Sequence, residues 1–311
     1  MTQKISGLHH ITAIAGNAQR NYEFYTKVLG LRLVKKTVNF DDPGTYHFYY
    51  GDEHGTPGTI LTFFPWENIG KGEAGNGQAT EIGYAVPKGS LEFWKARFTK
   101  HNVSFGETAE RFGETYLPFT DPDGLNISLI IPKIVDNRPT WQTEGITPDT
   151  GTQGFHSVTL SLDKIDATAR ILTDIFGYSL QSREGNRYRF TVDSVENGNI
   201  IDILENPGGS RGRNAGGTNH HVAFRVPDEE TQKAFREEIL SKNLNITPKI
   251  DRDYFYSLYF REPGGVLFEI ATDNPGFTVD EPLNELGTHL KLPKQHEGLR
   301  SQLEEFLPKI G

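Results

Sequence analysis

The stretch Asn219-His220-His221-Val222-Ala223-Phe224-Arg225-Val226 decides how this chain is read. Apolar Val222, Phe224 and Val226 alternate with His221, Ala223 and Arg225, the two-residue period of a strand with one face in a core. Near the N-terminus, Leu8-His9-His10-Ile11-Thr12-Ala13-Ile14-Ala15 repeats the arrangement: a His-His pair opening an alternating strand. A rare dipeptide at the same place in two similar, distant strands points to two halves of one metal site.

Each His-His strand begins a longer pattern. Over residues 6–64 a helical stretch follows at Ala18–Leu29, stopped by Gly30, and then strand-like runs at Leu31–Val38, Thr45–Tyr50 and Thr59–Phe64. The same βαβββ order recurs over residues 80–132, 154–205 and 218–272, with strands expected at Val103–Phe105 and Ile246–Ile250 after the second and fourth helices. Four copies of one unit of ~50–60 residues are a repeat architecture. The polar segment Pro132–Gly154 separates the copies two and two, so domains are expected at residues 6–132 and 154–272. Residues 273–311 read as a tail, helical near Leu299–Leu307, that packs on the body.

Strand parity assigns candidate ligands, because alternate side chains face opposite sides of a sheet. With Val222, Phe224 and Val226 in the core, His221 faces the other way. With Ile11, Ala13 and Ala15 in the core, His10, Thr12 and Ile14 do the same. In Val266-Leu267-Phe268-Glu269-Ile270 the odd residue out is Glu269, a carboxylate that is costly to bury unless paired or bound to a cation. The matching positions of the middle units are Glu81, Ser128, Ser157 and Asp202, and none is a histidine. His156 falls on the core parity of Val158, Leu160 and Leu162. The set that remains is His10, His221 and Glu269, two histidines and a carboxylate, which suits a non-haem Fe(II) oxygenase and also a zinc hydrolase. In a regular strand His9 and His220 would point away from this set, and a β-bulge would bring them back.

The 311 residues, 35% hydrophobic and 23% charged, suit a globular protein of two ordinary domains. The 33 glycines and 17 prolines favour turns and short strands over long helices. With no cysteine, a metal must be held by His, Asp or Glu. A net charge of −9 argues against nucleic acid as a partner, and no apolar run approaches membrane-spanning length. No signal-peptide pattern opens the chain, so a cytoplasmic small-molecule protein is expected.

The four βαβββ units, the glycine stops after helices and the turns Asp121-Pro122-Asp123-Gly124 and Glu262-Pro263-Gly264-Gly265 resemble the vicinal-oxygen-chelate superfamily. That superfamily includes glyoxalase I, fosfomycin-resistance proteins and type I extradiol dioxygenases. The resemblance covers residues 6–272 and implies an α+β fold whose units pair into cup-shaped mixed sheets around a metal. More narrowly, His9-His10-Ile11-Thr12, His220-His221, Arg252, Tyr259 and Glu269 resemble the hydroquinone ring-cleaving dioxygenases, as does the run Asn39–His47. This implies metal ligands at His10, His221 and Glu269, in agreement with parity. It also implies that His9, Thr12, His220, Arg252 and Tyr259 support those ligands or touch substrate, with His220 as general acid or base. The implied cofactor is Fe2+, with Mn2+ asking for the same ligands; the implied partners are a small aromatic substrate and O2, and the superfamily is compatible with a homodimer.

Two further readings keep this fold: a glyoxalase-like isomerase or thiol transferase using Ni2+ or Zn2+, and a non-catalytic small-molecule binding protein. Read alone, Arg252 also fits a surface charge between Asp251 and Asp253, and Tyr259 a β-former near Tyr254, Phe255 and Tyr256. His47 reads as structural, and Phe63, Phe64 and Trp66 as core or pocket wall.

Overall fold

The computed structural model describes residues 3–311. Unit one comprises β1 (Leu8–Ala15), α1 (Ala18–Glu23), β2 (Arg32–Val38), β3 (Tyr46–Gly51) and β4 (Ile60–Pro65). Unit two comprises β5 (Gln78–Ala85), α2 (Leu91–Lys100), β6 (Ala109–Arg111), β7 (Glu114–Thr120) and β8 (Asn126–Ile131). Unit three comprises β9 (Phe155–Leu162), α3 (Asp166–Arg170), β10 (Ser179–Glu184), β11 (Arg187–Thr191) and β12 (Ile200–Glu205). Unit four comprises β13 (Thr218–Val226), α4 (Glu229–Ser241), β14 (Ile250–Asp251), β15 (Phe255–Arg261) and β16 (Leu267–Pro275), and the tail ends in α5 (Arg300–Phe306). Among the described residues no helix is long and apolar enough to cross a membrane.

Local chemistry sets the boundaries. The Asn17 side chain accepts from the Arg20 N–H at 2.8 Å and starts α1, and Asp228 does the same for α4 through Thr231. α1 and α3 each widen into a π-helical turn, at Phe24–Val28 and Ile171–Ile175, before Gly30 and Gly177 take positive φ and end the helical course. The strand expected at Val103–Phe105 is reduced to one bridge between Phe105 and Phe119. Its place on β7 is taken by β6, because Phe112 and Gly113, both at positive φ, make a two-residue hairpin that forces Arg111 opposite Glu114. Likewise Ile246 only bridges Phe260, and the strand itself is Ile250–Asp251.

The strands form two eight-stranded sheets, ordered β14-β15-β16-β13-β1-β4-β3-β2 and β10-β11-β12-β9-β5-β8-β7-β6. Units one and four therefore share one sheet, and units two and three the other. The hydrogen-bonded pairing runs across the two-and-two division of the sequence at Pro132–Gly154. In each sheet the first strands of the two units meet antiparallel, β1 on β13 and β5 on β9, while each first strand lies parallel to the last strand of its own unit. One continuous apolar core backs both sheets. Phe176 from the end of the third unit's helix packs on Phe224 and Phe268 of unit four, with ring centroids 4.7 and 6.1 Å away. Truncating a fully buried phenylalanine of this kind costs about 3–5 kcal/mol.

The tail is tied to unit one. Lys35 is wholly buried, and its ammonium is neutralised by Asp280 at 2.6 Å and by Glu281. Within the tail Leu303 and Leu307 are buried.

The cup of units two and three is closed by side-chain charges. Glu114 sits between His156 (3.1 Å) and Arg189, and Arg189 also pairs with Asp202 (2.9 Å). Glu81 pairs with Arg111 at 2.9 Å and accepts from the Ser128 hydroxyl at 2.7 Å. Burial works to raise the Glu114 pKa, but His156 and Arg189 outweigh it and hold the carboxyl at about 2. A pKa depressed from 4.5 contributes stability that is complete above pH 4.5 and is lost as pH falls toward 2. Glu114→Gln should therefore flatten the acid limb of the stability curve by on the order of 3 kcal/mol at most. Urea unfolding of both proteins at pH 6 and near pH 3 checks this, and parallel losses in the two would refute the assignment.

Candidate metal centre

The β1–β13 seam carries a β-bulge in each strand, and each bulge falls on the first histidine of a pair. Leu8 and His10 face Phe224 and Ala223, so His9 is the extra residue; Thr12 and Ala13 face His221 and Asn219, so His220 is. A bulge turns two consecutive side chains to one side. His9 accordingly stands beside His10, and His220 beside His221, each with ring centroids 5.1 Å apart.

The second histidine of each pair meets Glu269. His10 Nε2 and His221 Nε2 are 3.3 Å apart, and Glu269 Oε2 lies 3.2 Å from the first and 2.9 Å from the second. Among the described residues these three form the one group of His, Asp or Glu ligand atoms close enough to share an ion. All three side chains are buried, Glu269 at 0% exposure. Glu269 Oε1 accepts from the Ser257 hydroxyl, whereas Oε2 accepts no hydrogen bond despite its two nitrogen neighbours. Burial alone would raise the Glu269 pKa; the adjacent His10 and His221 hold it well below the usual range, so the group is an anion.

The tautomers can be followed outward. Thr272 O can only accept, so His9 Nε2, 3.1 Å away, carries a proton. Burial and the neighbouring His10 keep the His9 pKa far below its ordinary value, so its Nδ1 is a bare acceptor. His10 Nδ1–H donates to it across 2.9 Å, and in the neutral form that a metal ligand requires His10 Nε2 is left with its lone pair toward Glu269. The same Nδ1···Nδ1 contact, 2.8 Å, joins His220 to His221. A lone pair on His221 Nε2 places the shared proton on His221 Nδ1, leaving His220 protonated on Nε2. In that tautomer set three lone pairs converge on one buried point, where a bound cation does what a proton shared with Glu269 does in its absence. Metal–ligand bonds of about 2.1 Å at right angles put ligand atoms about 3.0 Å apart, so these spacings fit one face of an octahedral ion.

Beside this point lies a cavity of about 340 Å³ with aromatic walls that include Phe64, Trp66, Phe255 and Tyr259. His220, Arg252 and Tyr259, expected near substrate, line it together with His10 and His221. Arg252 Nε is 3.4 Å from the Tyr259 hydroxyl, and its guanidinium lies over Phe40 and 3.7 Å from Asp41. The His220 pKa is lowered to about 3 by burial, then by His221 and Arg261, so its ring is neutral at pH 7. His9 and Thr12 stand elsewhere: His9 is behind His10, and Thr12 Oγ1 is hydrogen-bonded to Thr62 Oγ1 at 2.7 Å. Thr62 in turn meets His47 Nε2 at 3.0 Å, whose Nδ1 meets the Tyr49 hydroxyl at 2.9 Å. His47, read from sequence as structural, is thus both anchored and part of the cavity wall.

The residue-matching model for the glyoxalase/bleomycin resistance protein/dioxygenase superfamily fits residues 7–129 and 154–270. The chain belongs to this superfamily. Within the superfamily it is 47% identical over 309 residues to the Bacillus subtilis protein named "Putative ring-cleaving dioxygenase MhqO", covering 99% of this chain and 97% of that one. It is 35% identical to the chlorohydroquinone/hydroquinone 1,2-dioxygenase of Sphingobium indicum, covering 97% of this chain and 96% of that one. The crystal structure of a "putative dioxygenase" from Bacillus subtilis superposes with a TM-score of 0.95 at 45% identity, covering 100% of this chain and 99% of that chain. The superfamily fold of paired, curved mixed sheets is the one described above.

Some residues of the centre were missed in the sequence. Ser257 lies two residues before Tyr259 on β15, opposite in parity to the buried Leu258 and Phe260, and that pattern could have revealed it. His156 was placed in the core by parity. A bulge between the Gly83–Ser157 and Tyr84–Phe155 pairs turns it instead to Glu114 in the other cup. For the metal centre, anaerobic titration with Fe2+ or Mn2+ should show His10→Ala abolishing tight binding. His9→Ala, which removes only the acceptor behind the ligand, should weaken binding about 10–100-fold.

Proposed function

We propose that this protein is an Fe2+-dependent, extradiol-type dioxygenase that opens the ring of hydroquinone or catechol-like aromatics. The observation that carries the reading is the buried convergence of Glu269 Oε2, His10 Nε2 and His221 Nε2 at one end of an aromatic-walled cavity. The identity to a hydroquinone 1,2-dioxygenase over nearly the whole chain supports the same class. When bound, Fe2+ would offer neighbouring open positions to a phenolic oxygen and to O2 and pass electron density between them. Two neutral imidazoles and one carboxylate leave a divalent ion with one net positive charge, which favours an anionic phenolate as the next ligand.

The chain's own groups do the rest. Phe64, Trp66 and Phe255 enclose an aromatic ring and exclude water. Arg252, permanently cationic and buttressed by Tyr259, stabilises negative charge on a phenolic oxygen or on the opening ring. His220 is the histidine of the cavity wall that is joined to a ligand without being one of the three. With Nδ1 engaged by His221, this neutral imidazole works as a relay: it gives up Nε2–H as Nδ1 takes the proton from His221 Nδ1, and the reverse transfer restores both rings. His9 acts through His10 by fixing its tautomer.

Loaded anaerobically with Fe2+ and then given air and hydroquinone, the protein should consume one O2 per ring opened, and His10→Ala should consume none. Turnover that continues without O2 would sink the reading in favour of an isomerase. Arg252→Ala should lower kcat/KM about 100-fold, with Arg252→Lys recovering only part of the loss, since a point charge does not replace the planar fork. An unaltered kcat/KM in Arg252→Ala would remove Arg252 from the mechanism.

A further inference from the structure

A second cavity, about 350 Å³, shares His220, His221 and Leu267 with the first. Its character is the reverse of the first: the lining is chiefly polar. Two exposed arginines line it, Arg211 and Arg261, neither of them in an ion pair among the described residues. Their head groups converge on one glycine. Arg261 donates to the Gly265 carbonyl at 2.6 Å, and Arg211 Nη2 lies 3.6 Å from where a Cβ on Gly265 would stand. Asn219, 3% exposed, also lines it; its Nδ2 donates to Ala79 O at 3.0 Å while its Oδ1 is buried without any partner. Two uncompensated cations and an orphaned acceptor, one side chain away from the metal ligands, describe an anion with a hydroxyl attached.

Ring opening makes such a molecule. A neutral dihydroxybenzene takes up O2; one ring C–C bond and the O–O bond break, and both oxygen atoms stay in the product. One severed carbon becomes a carboxyl group, ionised at neutral pH, and the other becomes a carbonyl, while the second ring hydroxyl survives. We propose that the second cavity is a carboxylate subsite that receives this ring-opened acid, with Arg211 and Arg261 on the carboxylate and Asn219 Oδ1 accepting from the remaining hydroxyl. The inference rests on the ring-opening reading. His220 and Leu267, common to both linings, are where the product passes from the aromatic-walled space to the cationic one.

The test is binding of cis,cis-muconate, a six-carbon diacid the length of an opened ring, to the metal-loaded full-length protein by equilibrium dialysis. The double variant Arg211→Ala/Arg261→Ala should bind muconate about tenfold more weakly, the sum of two partly exposed charge contacts, and keep the wild-type KM for hydroquinone. An unchanged muconate affinity in the double variant would overturn the proposal. A fall in kcat/KM for 2,5-dihydroxybenzoate larger than the loss of muconate affinity would also overturn it, by assigning the arginines to an acidic substrate. The dialysis needs no turnover, so a wild-type protein that consumes no O2 with hydroquinones would defeat the proposed function while leaving the muconate result readable.

Discussion

Everything in the candidate centre depends on the antiparallel seam between β1 and β13. It brings a strand beginning at residue 8 against one beginning at residue 218, and it does so with a bulge in each. Without the pairing His10 and His221 would not meet; without the bulges each leading histidine would turn its ring to the opposite face. The bulges therefore convert two ordinary dipeptides into two ligand-and-support pairs related by the internal repeat. β16, parallel to β13 and registered with Ala223 opposite Glu269, then delivers the carboxylate to the same point.

The two sheets apply one plan to different ends. In the sheet of units two and three, bulges recur around Thr80 and His156, and the cup is filled by arginines and carboxylates that neutralise each other. Glu81, Ser128 and Ser157 stand where the other sheet has His221, Glu269 and His10. Burying those charges is tolerable because each has a partner. In the sheet of units one and four the corresponding position holds one buried carboxylate facing two histidine rings. The contrast makes one cup a structural brace and leaves the other with the candidate metal centre.

The elements and the ligand cluster were legible because they sit on strands whose alternate residues are strongly apolar. Ile11 and Ala13, Val222 and Phe224, and Phe268 and Ile270 all bury on one face and so expose the parity of their neighbours. The bulges were not legible. An extra residue in a strand leaves no mark on composition, and so His156 was placed on the wrong face and the stance of His9 and His220 stayed open. Short strands were also misplaced where a turn overrode strand propensity, as when Phe112-Gly113 drew the pairing away from Val103–Phe105. Which units share a sheet was hidden for a different reason: the hinge at Pro132–Gly154 reports where the chain is polar, not which strand edges find each other.

That crossed pairing has a consequence for how the molecule comes into being. As the chain emerges from the ribosome, units two and three can complete their sheet once residue 205 is out. β1 must wait with its edge unpaired until β13 is synthesised, and Glu269 arrives later still. Contacts of such long sequence separation are slow to form and leave a strand edge open to wrong partners meanwhile. The first unit thus spends most of biosynthesis as an unfinished half of a sheet, and the ion site is among the last features the newborn chain acquires.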